Sequence, residues 1–428
     1  MQNKKLNIIH YLLFVYCFFP FTFKPLRLLQ VAIAYGGGFI YVLFNFKFLI
    51  SKIRTKLVYN SFHVFMAIMI VLLLRPLYTG DYTYLGYFIS FLRASILIFC
   101  MIIVLLKNGI DTFEEVAAIY INVMLIYIAC SLLLLLPPLR ALWTSIIYTN
   151  EKASELIESI VYYTRFGLQG FSGWSHTVHC SIGVALFWVL KLNGTNMSYI
   201  KFLLLLIGCA LYGRSGLLVA LVSSLIACIY AIKMRKTKYI LFILLIGIIL
   251  FAALLIYINY FSSEYNALSW MLEPFVNKLQ GKKASSSSNE LREMYQRFHI
   301  DGVKSLLFGD GLYMESGHYY QKVDIGWVRP LLFGGLFFLT IYYVSLLLSF
   351  HISINSCPRK IRYIYFILFI TQLMVFEMKG ETYLMFARVL LLFSFTIRGN
   401  TNDLSVCDQP IHDGRGRKSF LKYCFKSQ

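Results

Sequence analysis

The stretch YLGYFISFLRASILIFCMIIVLL, residues 84–106, carries a single charge, Arg93, in a run long enough to cross ~30 Å of hydrocarbon as one helix. Its backbone groups would all be satisfied internally, which a spanning segment requires. Apolar runs of this kind, roughly 16–25 residues long, recur along the chain between short basic segments. Hydrophobic residues make up 59% of the sequence and charged residues 14%, with a mean hydropathy of +0.68, which excludes a soluble domain. The pattern predicts an all-α polytopic membrane protein forming a single integral membrane domain over residues 1–428.

About twelve spans are expected: 8–23, 28–50, 58–77, 84–106, 116–136, 174–190, 199–212, 216–232, 239–260, 327–350, 363–376 and 382–397. The first is followed at once by another and lacks a small-residue cleavage site, so it reads as a retained span rather than a signal peptide. Lys4 and Lys5, then Lys52, Arg54 and Lys56, then Lys233, Arg235, Lys236 and Lys238, then Arg359, Lys360 and Arg362 fall on one side with the basic tail 398–428. Positive charge concentrates on the cytoplasmic side, so both termini are expected there. Residues 78–83, 137–173, 261–326 and 377–381 and the turn at Gly213–Arg214 then face outward, which puts the two long loops, 137–173 and 261–326, on one side. The net charge of +20 belongs to this arrangement and is not a sign of nucleic-acid binding.

None of the nine cysteines falls in an outward loop, so no structural disulfide is expected. His176 and His179 are the one close histidine pair, too few donors for a metal site, and no metal or cofactor is expected. Within the large loop, residues 285–288 are a run of serines that reads as a flexible connector. Before it, residues 267–279 suit a helix at the membrane surface. After it, a helical pattern begins at Asn289 and Arg292, runs through Val303 to Leu307, and ends at Gly309.

Four patches carry possibilities for chemistry. Tyr212-Gly213-Arg214-Ser215-Gly216 sets an arginine at an outer turn, where its guanidinium fork and the N–H groups of a helix start suit a phosphate; the plainer reading is an interfacial anchor. Arg165-Phe166-Gly167-Leu168-Gln169-Gly170-Phe171 leads toward a span with glycines that permit close backbone approach, or is an ordinary re-entry loop. Arg292, Arg297 and His299 belong to the loop helix, and because Arg292 and Arg297 are five apart they do not share a face cleanly; the alternative is a solvated surface helix. Leu307-Phe308-Gly309-Asp310-Gly311-Leu312-Tyr313 is followed by His318 and by Asp324-Ile325-Gly326-Trp327-Val328-Arg329-Pro330. Asp324 would stand at the membrane surface, and as the acid preceding an apolar helix it is also expected to act as its N-cap.

Taken together, R-x-x-G before a middle span, G-R-S-G at an outer turn, a large late loop with R-x-x-x-Y, then F-G-x-G and D-x-G-x-x-x-x-L-x-x-G-G resemble the superfamily of O-antigen polymerases and O-antigen ligases. The likeness runs from about Arg165 to Gly335 in the order of loops and spans; the residues before it match only in spanning a membrane. The resemblance implies a GT-C-like, membrane-embedded glycosyltransferase in the bacterial inner membrane. Its implied donor is an oligosaccharide on undecaprenyl diphosphate at the periplasmic face, and its implied partners are that lipid-linked glycan, the bilayer and a chain-length regulator protein. Ligases place histidine followed by asparagine where this chain has Asp324-Ile325-Gly326, a departure that favours a polymerase over a ligase.

The residue types suit that chemistry directly. Glycan transfer leaves a lipid diphosphate with growing negative charge, which Arg214, Arg292 and Arg165, with Arg297 as a further candidate, would stabilise. The acceptor hydroxyl needs a proton acceptor, for which Asp324 is the first choice and His318 the second. A lipid-linked sugar flippase would share this membrane setting and substrate, but should show internal repeats and charges lining a path through the spans; Arg93 is the clearest mid-span charge here.

Overall fold

The computed structural model describes residues 6–52, 67–149, 165–171, 175–235, 277, 281 and 286–396. Among these residues helix dominates, and the strands form two short antiparallel hairpins, Phe166–Gly167 with Gly170–Phe171 and Met314–Glu315 with His318–Tyr319. Among the described residues, six helices are long and apolar enough to span a membrane: Arg27–Phe44, Thr83–Lys107, Phe113–Leu133, Ser175–Asn193, Arg214–Lys233 and Val328–Ser356. Shorter apolar helices, Ile8–Phe18, Ala67–Thr79, Tyr199–Tyr212, Arg362–Glu377 and Tyr383–Phe393, complete the described bundle. The expected span 239–260, the surface helix 267–279 apart from residue 277, residues 150–164 and 172–173 of loop 137–173, and the tail 398–428 lie outside the described residues.

The helix Ser175–Asn193 forms the centre, buried along nearly its whole length. Small residues let its neighbours close on it. A Cβ at Gly208 would stand 2.4 Å from Ile128 and 2.9 Å from Cys180, and one at Gly183 would stand 2.9 Å from Leu205. With no hydrophobic drive between helices in lipid, close contact and interhelical hydrogen bonds hold them instead. Gln372 donates to the Ser181 carbonyl at 2.9 Å and to Ser223 Oγ at 3.0 Å, joining three helices through one buried amide. His176 stacks on Phe19 and Tyr127, and His179 meets the Tyr120 hydroxyl at 3.1 Å, so the histidine pair is packed into an aromatic cluster.

The helix Val328–Ser356 is interrupted. Gly335 has φ 70 and ψ −170, a conformation essentially reserved for glycine, and into this break fits the turn after helix Gly302–Phe308. Asp310 N–H donates to the Leu332 carbonyl at 2.7 Å, and Gly311 N–H to that of Phe333 at 3.0 Å. Cβ atoms would have no room on either side: one at Gly309 would lie 2.5 Å from Gly334 N, and one at Gly335 would lie 2.2 Å from the Leu307 oxygen. The F-G-x-G and L-x-x-G-G motifs are therefore two halves of one backbone junction. Arg75 caps it, donating to the carbonyls of Phe308 and Gly309.

Three local expectations need correction. The helix begun near Asn289 does not run on to Leu307: it divides into Ser286–Arg297 and Gly302–Phe308, parted by residues 298–301 and a positive φ of 82 at Gly302. Residues 286–288, expected in a connector, form the first turn of that helix. Asp324 does not cap the following helix, whose N-cap position is Trp327 with no side-chain hydrogen bond.

Candidate functional site

At one end of the bundle, four connections meet around a short segment between the last two described helices, Glu377-Met378-Lys379-Gly380-Glu381. Glu381 is sealed from solvent and accepts from three tyrosines: Tyr84 at 2.7 Å, Tyr342 at 2.8 Å and Tyr313 at 2.9 Å. Arg329 approaches it at 3.5 Å. An isolated buried carboxylate would be prohibitive, so these partners are what permits it. Burial pushes its pKa up, while Arg329 and the hydroxyls pull it back. Glu377 anchors the other end of the segment, accepting from Thr382 N–H and Oγ1 at 2.7 and 2.6 Å and from the Tyr343 hydroxyl at 2.8 Å.

Arg329 links this buried centre to the surface. It occupies the first turn of its helix, lies over the Tyr319 ring at 3.4 Å, and pairs with Asp324 at 3.2 Å. Burial pushes the Asp324 carboxyl up to about 6, against the pull of Arg329. Asp324 keeps 41% of its side chain exposed, so this carboxylate can still reach a ligand. Gly326 explains the D-x-G spacing: a Cβ there would meet Glu377 Oε2 and the Gly380 oxygen at 2.5 Å. The turn carrying Asp324 can lie on the Glu377–Glu381 segment only if that position is bare.

Lys379 gathers the remaining charges. Its ammonium donates to Ser215 Oγ at 2.9 Å, and it feels Arg165, Arg214, Asp324 and Glu290. Burial, then repulsion from Arg165 and Arg214, lowers its pKa to about 8. Arg214 opens helix Arg214–Lys233 after the Gly213 turn. That turn is pinned by Thr177, whose hydroxyl donates to the carbonyls of Cys209 at 2.9 Å and Gly213 at 3.2 Å. A Cβ at Gly216 would lie 1.7 Å from Thr177 Oγ1, so the second glycine of G-R-S-G is required by the central helix. Arg165 stands at the base of the first hairpin, whose second strand opens with a positive φ of 86 at Gly170.

The structure thus brings Asp324, Arg214 and Arg165 to one place and leaves the other candidates at its margin. His318 is exposed on the second hairpin; strand alternation sends Tyr319 toward Arg329 and His318 to the opposite face. Arg297 pairs with Glu293 at 3.4 Å on an open helix surface. Arg292 is exposed on the same helix, one turn from Tyr295, whose hydroxyl donates to the Met378 carbonyl at 3.4 Å. That helix lies over the site by its apolar face, Leu291, Met294 and Phe298, packed on Val323, Ile325 and Val328.

Sequence reasoning missed Arg329, Lys379, Glu381, Tyr313 and Tyr84. The signal was present in the three charges packed into residues 377–381 between two apolar runs, and in an arginine just inside a span. The second N-terminal contribution is Asp81, whose carboxylate accepts from the backbone of Tyr313 at 2.6 Å and Met314 at 2.8 Å. Burial acts to raise its pKa, but these bonds and those from Thr83 prevail and hold it below the ordinary value. No protein-family model, curated protein or solved structure matches the chain.

Proposed function

We propose that the chain is a polysaccharide polymerase that joins oligosaccharide repeat units carried on undecaprenyl diphosphate, working at the periplasmic face of the bacterial inner membrane. The observation that supports this reading is the meeting of a partly exposed carboxylate, Asp324, with Lys379, Arg214 and Arg165 at a single end of an apolar bundle. A diphosphate needs several cations in a partly desolvated place, and an acceptor hydroxyl needs one base beside them.

In this reading the acceptor hydroxyl oxygen attacks the anomeric carbon of the donor glycan and gives its proton to Asp324. The bond from that carbon to the diphosphate oxygen breaks, its electron pair stays on the oxygen, and the leaving lipid diphosphate is stabilised by Arg214, Arg165 and Lys379. Arg329 positions Asp324, while the Glu381 cluster holds Arg329. Arg292, on the overlying helix, is a further contact for the donor.

Deleting the gene and sizing the surface glycan tests the assignment. The expected result is a single repeat unit on the acceptor with the long ladder gone. Loss of all glycan from the acceptor, with polymer accumulating on the carrier lipid, would make the chain a ligase instead.

A further inference from the structure

Below the surface cluster, two more arginines lie within the membrane layer. Arg388 is five residues past Tyr383, and Arg93 is ten past Thr83, on helices that both start at the site end. At 1.5 Å per residue they sit about 8 and 15 Å down. Arg93 is also about 21 Å from the far end of its helix, too deep for its head to escape simply by reaching along the helix. Among the described residues neither guanidinium has a carboxylate partner, and Arg388 Nε is buried with no acceptor. Tyr35 is within electrostatic reach of both, and Tyr87 and His179 are within reach of Arg388.

Beside Tyr35 runs an apolar groove of about 620 Å³ between Ile8–Phe18, Arg27–Phe44 and Thr83–Lys107, lined by Leu13, Ile33, Gly37, Tyr41, Leu97 and Val104. Its wall includes a π-helical turn, Ala32–Gly37, and such turns are frequent at functional sites. Cations without acids next to an elongated apolar groove match one kind of molecule: a hydrocarbon chain with an anion at its end. Free anions from water would find the cations, but nothing in them would use the groove.

We propose that Arg93 and Arg388, with Tyr35, bind the phosphate of an anionic membrane lipid whose chain lies along this groove. The inference does not rest on glycan transfer, since it asks only for a phosphate-bearing lipid. Arg388, half-buried, offers its guanidinium to the phosphate, and Arg93 adds a second charge. Both arginines then gain the counter-charge that their depth demands.

The full chain, reconstituted in nanodiscs of phosphatidylcholine doped with phosphatidylglycerol or polyprenyl phosphate, is released for native mass spectrometry and the retained lipid is weighed. The wild type is expected to retain an anionic lipid in preference to phosphatidylcholine, and Arg388→Gln to lower that retention at least tenfold. Gly37→Leu is the second variant, because space around a Cβ there is open and the added side chain enters the groove rather than the core. It too should lower retention, with the fold intact. Unchanged retention in both variants would overturn the proposal. Displacement of the lipid by millimolar pyrophosphate would equally overturn it, by placing the cations in a water-filled vestibule.

Discussion

In the proposed transfer, Asp324 and Lys379 set opposite limits. With its carboxyl raised to about 6, Asp324 is ionised above that pH and gains a proton as pH falls through it, so its capacity as a base is lost on the acid side. Lys379, lowered to about 8, sheds its charge as pH rises through that value, so its hold on a diphosphate is lost on the alkaline side. Chain extension by purified protein should therefore follow a bell between about 6 and 8, and Lys379→Arg should remove the alkaline limb. Asp324→Asn should abolish extension without loss of protein; normal ladders from it would pass the role of base to His318, whose exposed position otherwise predicts a mild effect of His318→Ala. Arg214→Ala should cut the rate roughly 10²-fold, as removal of an oxyanion donor does, and Arg214→Lys less, because charge survives but the fork does not. Arg297→Ala, which breaks only a surface pair, should leave the rate within twofold, roughly the weight of such pairs. Asp324, Arg165 and Arg214 were legible because loop side and residue type suffice to name them. Glu381 was not, since a carboxylate hidden under three tyrosines is defined by contacts from residues 84, 313 and 342, which no local reading assembles.

At the scale of elements, apolar length was legible and interruption was not. Helix Tyr199–Tyr212 has the limits its run of apolar residues predicts, because signals at its own ends set them: Ser198 accepts from Ile200 N–H at the start, and the Gly213 turn closes it. The break at Gly335 depends on a backbone conformation set by the segment packed into it, and the split at Gly302 on a positive φ in open space; a glycine announces neither. Substitution can tell the two kinds of glycine apart. Gly335→Ala places a Cβ against the Leu307 carbonyl in a conformation alanine avoids, and should cost roughly 3 kcal/mol or more. Gly86→Ala, at a helical position with open space, should be neutral or gain about 0.5–1 kcal/mol. Thermal unfolding in detergent measures both; equal shifts would mean that the junction between residues 308–311 and the broken helix contributes nothing.

Across the whole molecule, the cluster around Lys379 defines one end of the bundle, and the basic residues at 359–362 mark the other. Cysteines at Glu315 and Lys360, both exposed positions, should respond oppositely to an impermeant maleimide in intact spheroplasts of a cysteine-free variant: label at 315, none at 360. Equal labelling, or the reverse, would overturn the orientation inferred from positive charge. The placement of Glu381 has a further consequence, for biogenesis. Its tyrosine partners come from residues 84, 313 and 342, so during synthesis the first of them waits in the bilayer while almost three hundred further residues are made. Until the segment bearing Glu381 leaves the insertion machinery, Arg329 has no buried carboxylate to face and Asp324 no fixed partner. A chain arrested before that point would hold most of its helices in the membrane without this end of the bundle assembled, so that the proposed site comes into being late and in one step.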